Sequence, residues 1–301
     1  MILKCDYDDK LYEQNEDPVR LLKQLEGQAD EYNDSFPQSP MNLIFFEDAI
    51  DHICRIARVL NQPRGNAMLI GVSGSGKQSL TRLAAFLHVA ECSQIKLTKS
   101  YRPRNFREDI KEMLLNSGCE RKSHVFLLAD TQIVHEQFLE DVNCILNTGE
   151  IADLYEKEDF ERMEVSLQKY MKENKIALSK DNIYATYIKE LRLHFHIILC
   201  MSPVGDTLRI RCRNFPSLVN CCTLDWFDNW PEEALMAVSK QFFENNQLLE
   251  GNDELRDAIA GMFPRVHSSV QDLTATFYEE QKRRVYITPK TYLDALNLFK
   301  L

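Results

Sequence analysis

The sequence has 301 residues, of which 44% are hydrophobic, so it can form one large domain or two modest ones with a buried core. Its formal net charge of −10 argues against a general nucleic-acid surface, because phosphates are bound by a positive field. The nine cysteines form no CxxC pair, and neither a signal-peptide pattern nor a long uncharged apolar stretch is present, so we expect reduced thiols in a cytoplasmic chain that is neither secreted nor membrane-inserted.

The predicted elements begin with an amphipathic helix at about residues 19–32, which we assign to a lead-in helix and linker over residues 1–40. Apolar residues at helical spacing predict a second helix over residues 47–60. Five short apolar runs are typical of buried strands: residues 67–71, 94–98, 124–129, 195–201 and 218–224. Helical patterns lie between these runs: residues 78–90, 103–116, 133–146 and a charged pair at about 159–191. This alternation predicts a parallel sheet covered on both faces.

The strand patterns end after Trp230 and Pro231, and residues 232–301 are predicted to be helical with breaks near Gly251 and Pro264. We therefore predict a large α/β subdomain over residues 41–230 and a small all-helical subdomain over residues 231–301. The basic run at residues 282–284 is interpreted as a solvated helix end.

The strongest functional signal is a G-x-x-x-x-G-K loop between the first predicted strand and the next helix. In such a loop the glycines allow backbone N–H groups to surround phosphates, the helix N-terminus adds partial positive charge, and the lysine neutralises the outer phosphates. The alternative is a glycine turn with an exposed lysine. The candidate phosphate-binding residues are Gly71, Val72, Ser73, Gly74, Ser75, Gly76 and Lys77.

The residue after the lysine departs from this motif. A serine or threonine that binds Mg²⁺ is expected there, whereas this chain has Gln78, with a hydroxyl only at Ser79. Since one step along a helix is a rotation of about 100°, Ser79 does not simply replace the missing ligand. We expect a weak Mg²⁺ site formed through the nucleotide by Gln78, Ser79 and a carboxylate, with a glutamine carbonyl or a water as possible substitutes.

The carboxylate candidate is Asp130, which follows the predicted buried strand at residues 124–129. In hydrolysing relatives of this motif a glutamate that polarises the attacking water comes next, whereas this chain has Thr131. Loss of a general base typically reduces a rate by about 10²- to 10⁴-fold. The hypothesis is therefore a site that binds ATP and hydrolyses it poorly, and the alternative for Asp130 is a helix N-cap.

Several segments, in order, resemble the fourth AAA+ module of axonemal dynein heavy chains. The resemblance runs from about Met41 to Leu301, and the lead-in helix is similar to the segment that precedes that module. The segments that carry it are Gly71–Leu83, Phe126–Gln132, Leu199–Asp206 and Phe215–Phe227.

The resemblance implies a three-layer α/β/α AAA+ fold with strand order 5-1-4-3-2, followed by a helical lid that closes on ATP or ADP. It places the adenine against the loop that contains Asn42, Leu43, Ile44 and Phe45, for which the alternative is a hydrophobic lead into the next helix. Ser202 and Lys290 fall at the two sensor positions, where the family more often has asparagine and arginine. Their alternatives are a turn residue and an exposed first-turn lysine.

Two further patterns concern neighbouring sites and metals. Cytoplasmic dyneins have an arginine finger where this chain has Cys221 after Asn220, so we expect no such finger here. The nearby arginines at positions 209, 211 and 213 are interpreted as a solvated basic loop or, alternatively, as a substitute. His194 and His196 are predicted to share a strand face, where we prefer packing or capping over a metal role because no third ligand is in register.

The function that the resemblance implies is a regulatory ATP- or ADP-binding module of a minus-end-directed microtubule motor in the cytoskeleton of the ciliary or flagellar axoneme. Its expected partners are the adjacent AAA+ modules, and, through the parent protein, intermediate chains, light chains and microtubules; neither nucleic acid nor membrane is expected. The microtubule-binding stalk follows this module in the family, so we do not expect this chain alone to bind microtubules. The alternatives are a self-contained P-loop ATPase or kinase, and a nucleotide-free structural module.

Overall fold

The computed structural model describes residues 17–41, 43–248 and 251–299, which divide into two compact units. The first unit contains the described residues up to Ile70 together with Gln78–Trp226, and the second contains Gly71–Lys77 with the described residues from Phe227 onward. Residues 1–16 of the predicted lead-in lie outside the described residues, as does Asn42. The division of the chain into subdomains at residues 40 and 230 stays a prediction.

The first unit is built on a five-stranded sheet with the order β2-β3-β4-β1-β5. This order is the one predicted, read from the opposite edge, and the pairs β1/β4, β3/β4 and β2/β3 are parallel as expected. The predicted fold class is thereby confirmed. The strands are β1 Ala67–Gly71, β2 Glu91–Ser93, β3 His124–Ala129, β4 Phe195–Met201 and β5 Thr223–Phe227.

The three central strands have the bounds that their apolar runs predict, and every residue in β1, β3 and β4 is buried. Strands that are covered on both faces need apolar side chains at all positions, which explains their uninterrupted runs. Ile70 pairs with Met201 and Ala129 with Cys200, so β1, β3 and β4 end at the same edge of the sheet. The residues that follow these strands therefore lie on the same side of the sheet, at the carboxyl ends of its strands.

The helices of the first unit cover the sheet and enclose one core. Gly118 on α4 lies so close to α7 that an added Cβ would be 2.3 Å from the ring of Tyr187, which explains why glycine is required at this crossing. On the edge strand β5, Asp225 is buried and pairs with His52 and Arg55 of α2. The helices are α1 Pro18–Ser35, α2 Glu47–Leu60, α3 Lys77–Leu87, α4 Pro103–Glu120, α5 Gln137–Thr148, α6 Lys157–Glu173, α7 Lys180–His194, α8 Thr207–Asn214 and α9 Ser217–Asn220.

Two predicted strands are displaced. The run at residues 94–98 is not a strand, because β2 ends at Ser93 and the side chain of Gln94 and the carbonyl of Ile95 bond to Gln132. The run at residues 218–224 is divided between the helical turn α9 and β5. Periodicity does not distinguish a short buried strand from a buried helical turn, and Leu218 is fully buried in the latter.

The second unit, described by itself, contains three helices within the described residues: α10 Glu232–Asn245, α11 Asp253–Gln281 and α12 Pro289–Phe299. The predicted break near Gly251 is present, but the one at Pro264 is wrong, because α11 continues through the proline. A proline inside a helix costs about 3 kcal/mol. Pro264 is buried and α11 packs along α10, so tertiary packing offsets that cost. Lys282 ends α11 with positive φ, as the helix-end interpretation expects.

None of the described helices combines the length and apolar character that crossing a membrane requires. Among the described residues no group of three or more acidic, histidine or cysteine side chains is arranged to hold a metal. The eight described cysteines are free thiols, and burial raises the pKa of Cys222 to about 12.

Candidate functional site

The phosphate-loop candidate joins β1 to α3, as predicted. Gly74 and Gly76 have φ values of +81° and +92°, a region that glycine adopts without strain. The ammonium of Lys77 lies inside its own loop, where it donates to the carbonyls of Gly71 and Val72 at 2.7 Å each and to Ser75 Oγ at 3.0 Å. The two glycines thus bend the backbone between β1 and α3, and all three donor positions of the Lys77 ammonium are bonded to oxygens of its own loop.

The same unit places the first turn of α12 against this loop. A Cβ added to Gly74 would lie 2.5 Å from the backbone nitrogen of Lys290 and 2.8 Å from its Cα. The backbone of Lys290 therefore contacts the loop directly, while its side chain is exposed. Thr288 and Thr291 cap this end of the helix through reciprocal hydrogen bonds. The exposed side chain is also what the alternative, a first-turn lysine in solvent, predicts, so the sensor role of Lys290 stays a prediction.

Asp130 follows β3, in a 3₁₀ turn over Asp130–Gln132, and α5 begins later than predicted, at Gln137. Its carboxylate Oδ1 is in a close ion pair with Arg211 NH1 from α8. The same guanidinium donates from Nε to Oε1 of Glu136 at 3.0 Å. The interpretation of residues 209–213 as a solvated loop is wrong for Arg211, because these residues are helical and Arg211 is buried between two carboxylates.

The side chain of Gln132, which follows Thr131, bonds to the backbone through both of its polar atoms. Its Oε1 accepts from Ala129 N at 2.9 Å, and its Nε2 donates to Ile95 O at 2.6 Å. These bonds tie the turn after β3 to the segment after β2. Gln132 therefore stabilises the turn, and the neighbouring Thr131 is exposed without a basic group.

A second glutamine connects this turn to the start of α3. Gln94 Nε2 donates to Gln132 Oε1 at 2.9 Å and to Gln78 Oε1 at 3.5 Å, while Gln94 Oε1 accepts from Arg82 at 2.6 Å. The oxygen of Gln78, which we expected to support Mg²⁺, is thus directed toward an amide donor. Ser79, on the same turn of α3, is half-buried.

The remaining predicted site residues lie in an irregular segment, in a turn and at a helix end. Leu43, Ile44 and Phe45 form a half-buried segment without regular structure just before α2, and their adenine-binding role stays a prediction. Ser202 follows β4 and accepts from Val204 N at 3.3 Å, the contact of a turn residue, and its sensor role likewise stays a prediction. Asn220 ends α9 and Cys221 caps it.

The two histidines do not share a strand face, because His194 is the last residue of α7 and only His196 is in β4. Nδ1 of the buried His196 is 2.7 Å from Gly65 O, so it acts as a structural donor to that carbonyl. Burial lowers the pKa values of His196 and His124 below their ordinary value of 6.5.

These lowered pKa values predict that stability decreases in acid. As the pH falls below about 6.5, the unfolded chain binds protons that the folded chain does not, so the free energy of unfolding decreases. We expect full stability above that pH, and a shallower decrease for His196→Gln. Urea unfolding between roughly pH 5 and pH 8 measures the effect; an equal slope in both proteins would contradict the role of His196.

The predicted ligand consists of a nucleoside polyphosphate and a magnesium ion, and the residues present suit the polyphosphate better than the ion. A nucleoside polyphosphate fits the loop, because its backbone curvature, Lys77 and the N-terminus of α3 all favour anions. Magnesium fits less well, since Asp130 is paired with Arg211 and the oxygen of Gln78 faces Gln94. The sequence patterns did not indicate that Arg211 pairs with Asp130 or that Gln94 bonds to Gln78 and Gln132, because no local motif encodes these contacts.

The chain matches known proteins over nearly its whole length. A family described as a P-loop containing dynein motor region D4 matches residues 41–301. The chain is 46% identical over 296 residues to dynein axonemal heavy chain 6 of Homo sapiens and 40% identical over 294 residues to dynein axonemal heavy chain 1 of Rattus norvegicus. It is 41% identical over 298 residues to the dynein-1-beta heavy chain of the flagellar inner arm I1 complex of Chlamydomonas reinhardtii.

These three alignments cover 98%, 98% and 99% of the chain but 7%, 6% and 7% of the relatives. The chain therefore spans a small fraction of the length of the heavy chains that it matches. The family match extends over both compact units and includes the phosphate loop. The chain accordingly belongs to the family of P-loop dynein motor regions termed D4, as an AAA-type region of axonemal dynein heavy chains.

Proposed function

We propose that this chain binds ATP or ADP through Gly71–Lys77 and serves as a regulatory module with little hydrolysis of its own. The observation that carries the proposal is the loop itself, with two glycines at positive φ and the ammonium of Lys77 enclosed by loop oxygens. ATP supplies a phosphoanhydride, and the loop binds its phosphates and holds them against the start of α3. Leu43–Phe45 is the proposed adenine contact, and Ser202 and Lys290 are the proposed sensors.

The low hydrolysis follows from the residues after β3. Thr131 has no group that accepts a proton at neutral pH, and the neighbouring amide of Gln132 is engaged with two backbone groups. Asp130, the proposed carboxylate partner of Mg²⁺, is paired with Arg211. This region therefore lacks a side chain that is ready to activate water.

We expect negligible phosphate release by the wild-type chain with ATP and magnesium, and a rise of at least roughly tenfold in Thr131→Glu, since a general base contributes about 10²-fold or more. Thr131→Gln is the matched control, because it has the same length without the base. Phosphate release is measured under single-turnover conditions, with ATP affinity determined in parallel. Brisk turnover by the wild-type chain would refute the proposal of weak hydrolysis.

The wider role follows from the family. We propose that the chain is the fourth AAA+ module of an axonemal dynein heavy chain, in which bound nucleotide affects the ring that it forms with adjacent modules. A location in the axoneme of cilia or flagella, and association with microtubules, intermediate chains and light chains through the parent motor, are parts of this proposal. The names of the relatives, an axonemal heavy chain and a flagellar inner-arm chain, support it.

A structural module without nucleotide is the second candidate, which the departures at Gln78 and Thr131 favour. Isothermal titration of the 301-residue chain with ATP and with ADP, each with magnesium, distinguishes the two. Heat of binding from either nucleotide supports the first proposal. If the folded protein gives no heat of binding with ATP and none with ADP, the chain is a structural module.

A further inference from the structure

We propose that Arg211 is a positioning residue that pairs with Asp130 and thereby makes nucleotide binding by this chain nearly independent of magnesium. The inference rests on the proposed function, because it concerns the carboxylate assigned to the magnesium of bound ATP. It adds a residue and a mode of regulation that the phosphate-loop motif does not contain.

The geometry of Arg211 is that of a bridge between two carboxylates. NH1 pairs closely with Asp130 Oδ1, while Nε and NH2 each lie 3.0 Å from Glu136 Oε1. Arg211 itself is only 6% exposed, although it is a charged residue on a short helix. The adjacent arginines of α8, Arg209 and Arg213, are exposed. Among these three arginines of α8, the buried one is therefore Arg211, whose guanidinium contacts both carboxylates.

Burial of this cation is favourable only because both acids accompany it. An arginine remains protonated at any physiological pH, so it brings its full charge into the interior. A buried charge without a partner would be strongly destabilising, whereas two carboxylates satisfy opposite sides of the guanidinium. The pairing is therefore a stable state of the turn after β3.

The ion pair with Arg211 reduces the attraction of the Asp130 carboxylate for a metal cation. The carboxylate oxygen in contact with Arg211 already has a positive partner, and a second cation beside it would be repelled by the guanidinium. Asp130 accordingly contributes less attraction for Mg²⁺ than an unpaired carboxylate would. Gln78 stands where a hydroxyl ligand is usual, and its oxygen faces Gln94. Both side-chain positions that normally hold the metal therefore bind it more weakly in this chain.

The test compares ATP affinity in magnesium with ATP affinity in EDTA, by isothermal titration of the 301-residue chain. We expect a small difference for the wild type and a magnesium-dependent gain that is about tenfold larger for Arg211→Gln, since removal of a nearby like charge is worth on the order of 1.4 kcal/mol. Arg213→Gln, the same change of charge on the exposed part of α8, should behave as the wild type.

A second variant keeps the proposal testable if Arg211→Gln fails to fold. Glu136 is exposed over 57% of its side chain, so Glu136→Gln should fold normally and leave Asp130 as the carboxylate paired with Arg211 among the described residues. We expect its magnesium dependence to stay as small as that of the wild type, and a clear gain in magnesium dependence would contradict the role of Arg211. Arg211→Lys, which keeps the charge without the fork, should lie between wild type and Arg211→Gln.

The outcomes separate this inference from the proposed function. If the wild-type chain binds no nucleotide in either condition, the proposed function fails. If it binds ATP but Arg211→Gln shows an unchanged or smaller magnesium dependence, the proposed function survives and the role of Arg211 is refuted. Arg211 would then be a structural ion-pair residue.

Discussion

Lys77→Ala should reduce the affinity of the chain for ATP and ADP by roughly 100-fold, because a charge-assisted hydrogen bond to phosphate is worth about 1.5–3 kcal/mol and the substitution removes more than one. The ammonium lies inside the loop, where it donates to the carbonyls of Gly71 and Val72, so it exchanges these bonds for bonds to a phosphate bound there. Titration calorimetry with each nucleotide measures the loss.

Lys169→Ala is the matched control, because it removes the same charge from an exposed position on α6. It should leave nucleotide affinity unchanged. Circular dichroism and thermal unfolding verify that both variants are folded. An affinity for ATP that is the same in Lys77→Ala and in the wild type would contradict phosphate binding by the loop.

Arg107→Ala should lower the free energy of unfolding by about 3 kcal/mol, because it leaves a buried carboxylate without its partner. Asp141 on α5 is only 1% exposed, and the guanidinium of Arg107 on α4 contacts both of its oxygens, at 2.8–3.2 Å. The pair joins helices α4 and α5. Urea unfolding of the whole chain measures the change.

Arg104→Ala is the control on the same helix, since Arg104 is exposed and, within the part of the chain that the structure describes, its ion pair is with Glu108 one turn away. Such surface pairs contribute about 0.2–1 kcal/mol, so its effect should be small. The double variant Arg107→Ala, Asp141→Asn should recover part of the lost stability, because it also removes the buried charge. Equal decreases in the free energy of unfolding for Arg104→Ala and Arg107→Ala would show that the Arg107–Asp141 pair stabilises the fold no more than a surface pair does.

The parts of the fold that could be predicted are those with a strong local signal. Helix α2 and strands β1, β3 and β4 have the predicted bounds, because an amphipathic period or a continuous apolar run is a property of adjacent residues. The edge strands β2 and β5 were displaced, since short apolar segments at a sheet edge fit a strand, a helical turn or an irregular segment equally well. The continuation of α11 through Pro264 depends on packing, which the sequence pattern does not contain.

The candidate site divides in the same way. The sequence by itself determined the phosphate loop at Gly71–Lys77 and the departures at Gln78 and Thr131, because each is a matter of residue type at a fixed spacing. Only the tertiary structure decided that Asp130 is paired with Arg211, from which it is separated by 81 positions, and that Gln94 connects Gln132 with Gln78. Such contacts arise when the sheet brings distant strand ends to one edge, and no local pattern in the chain encodes them.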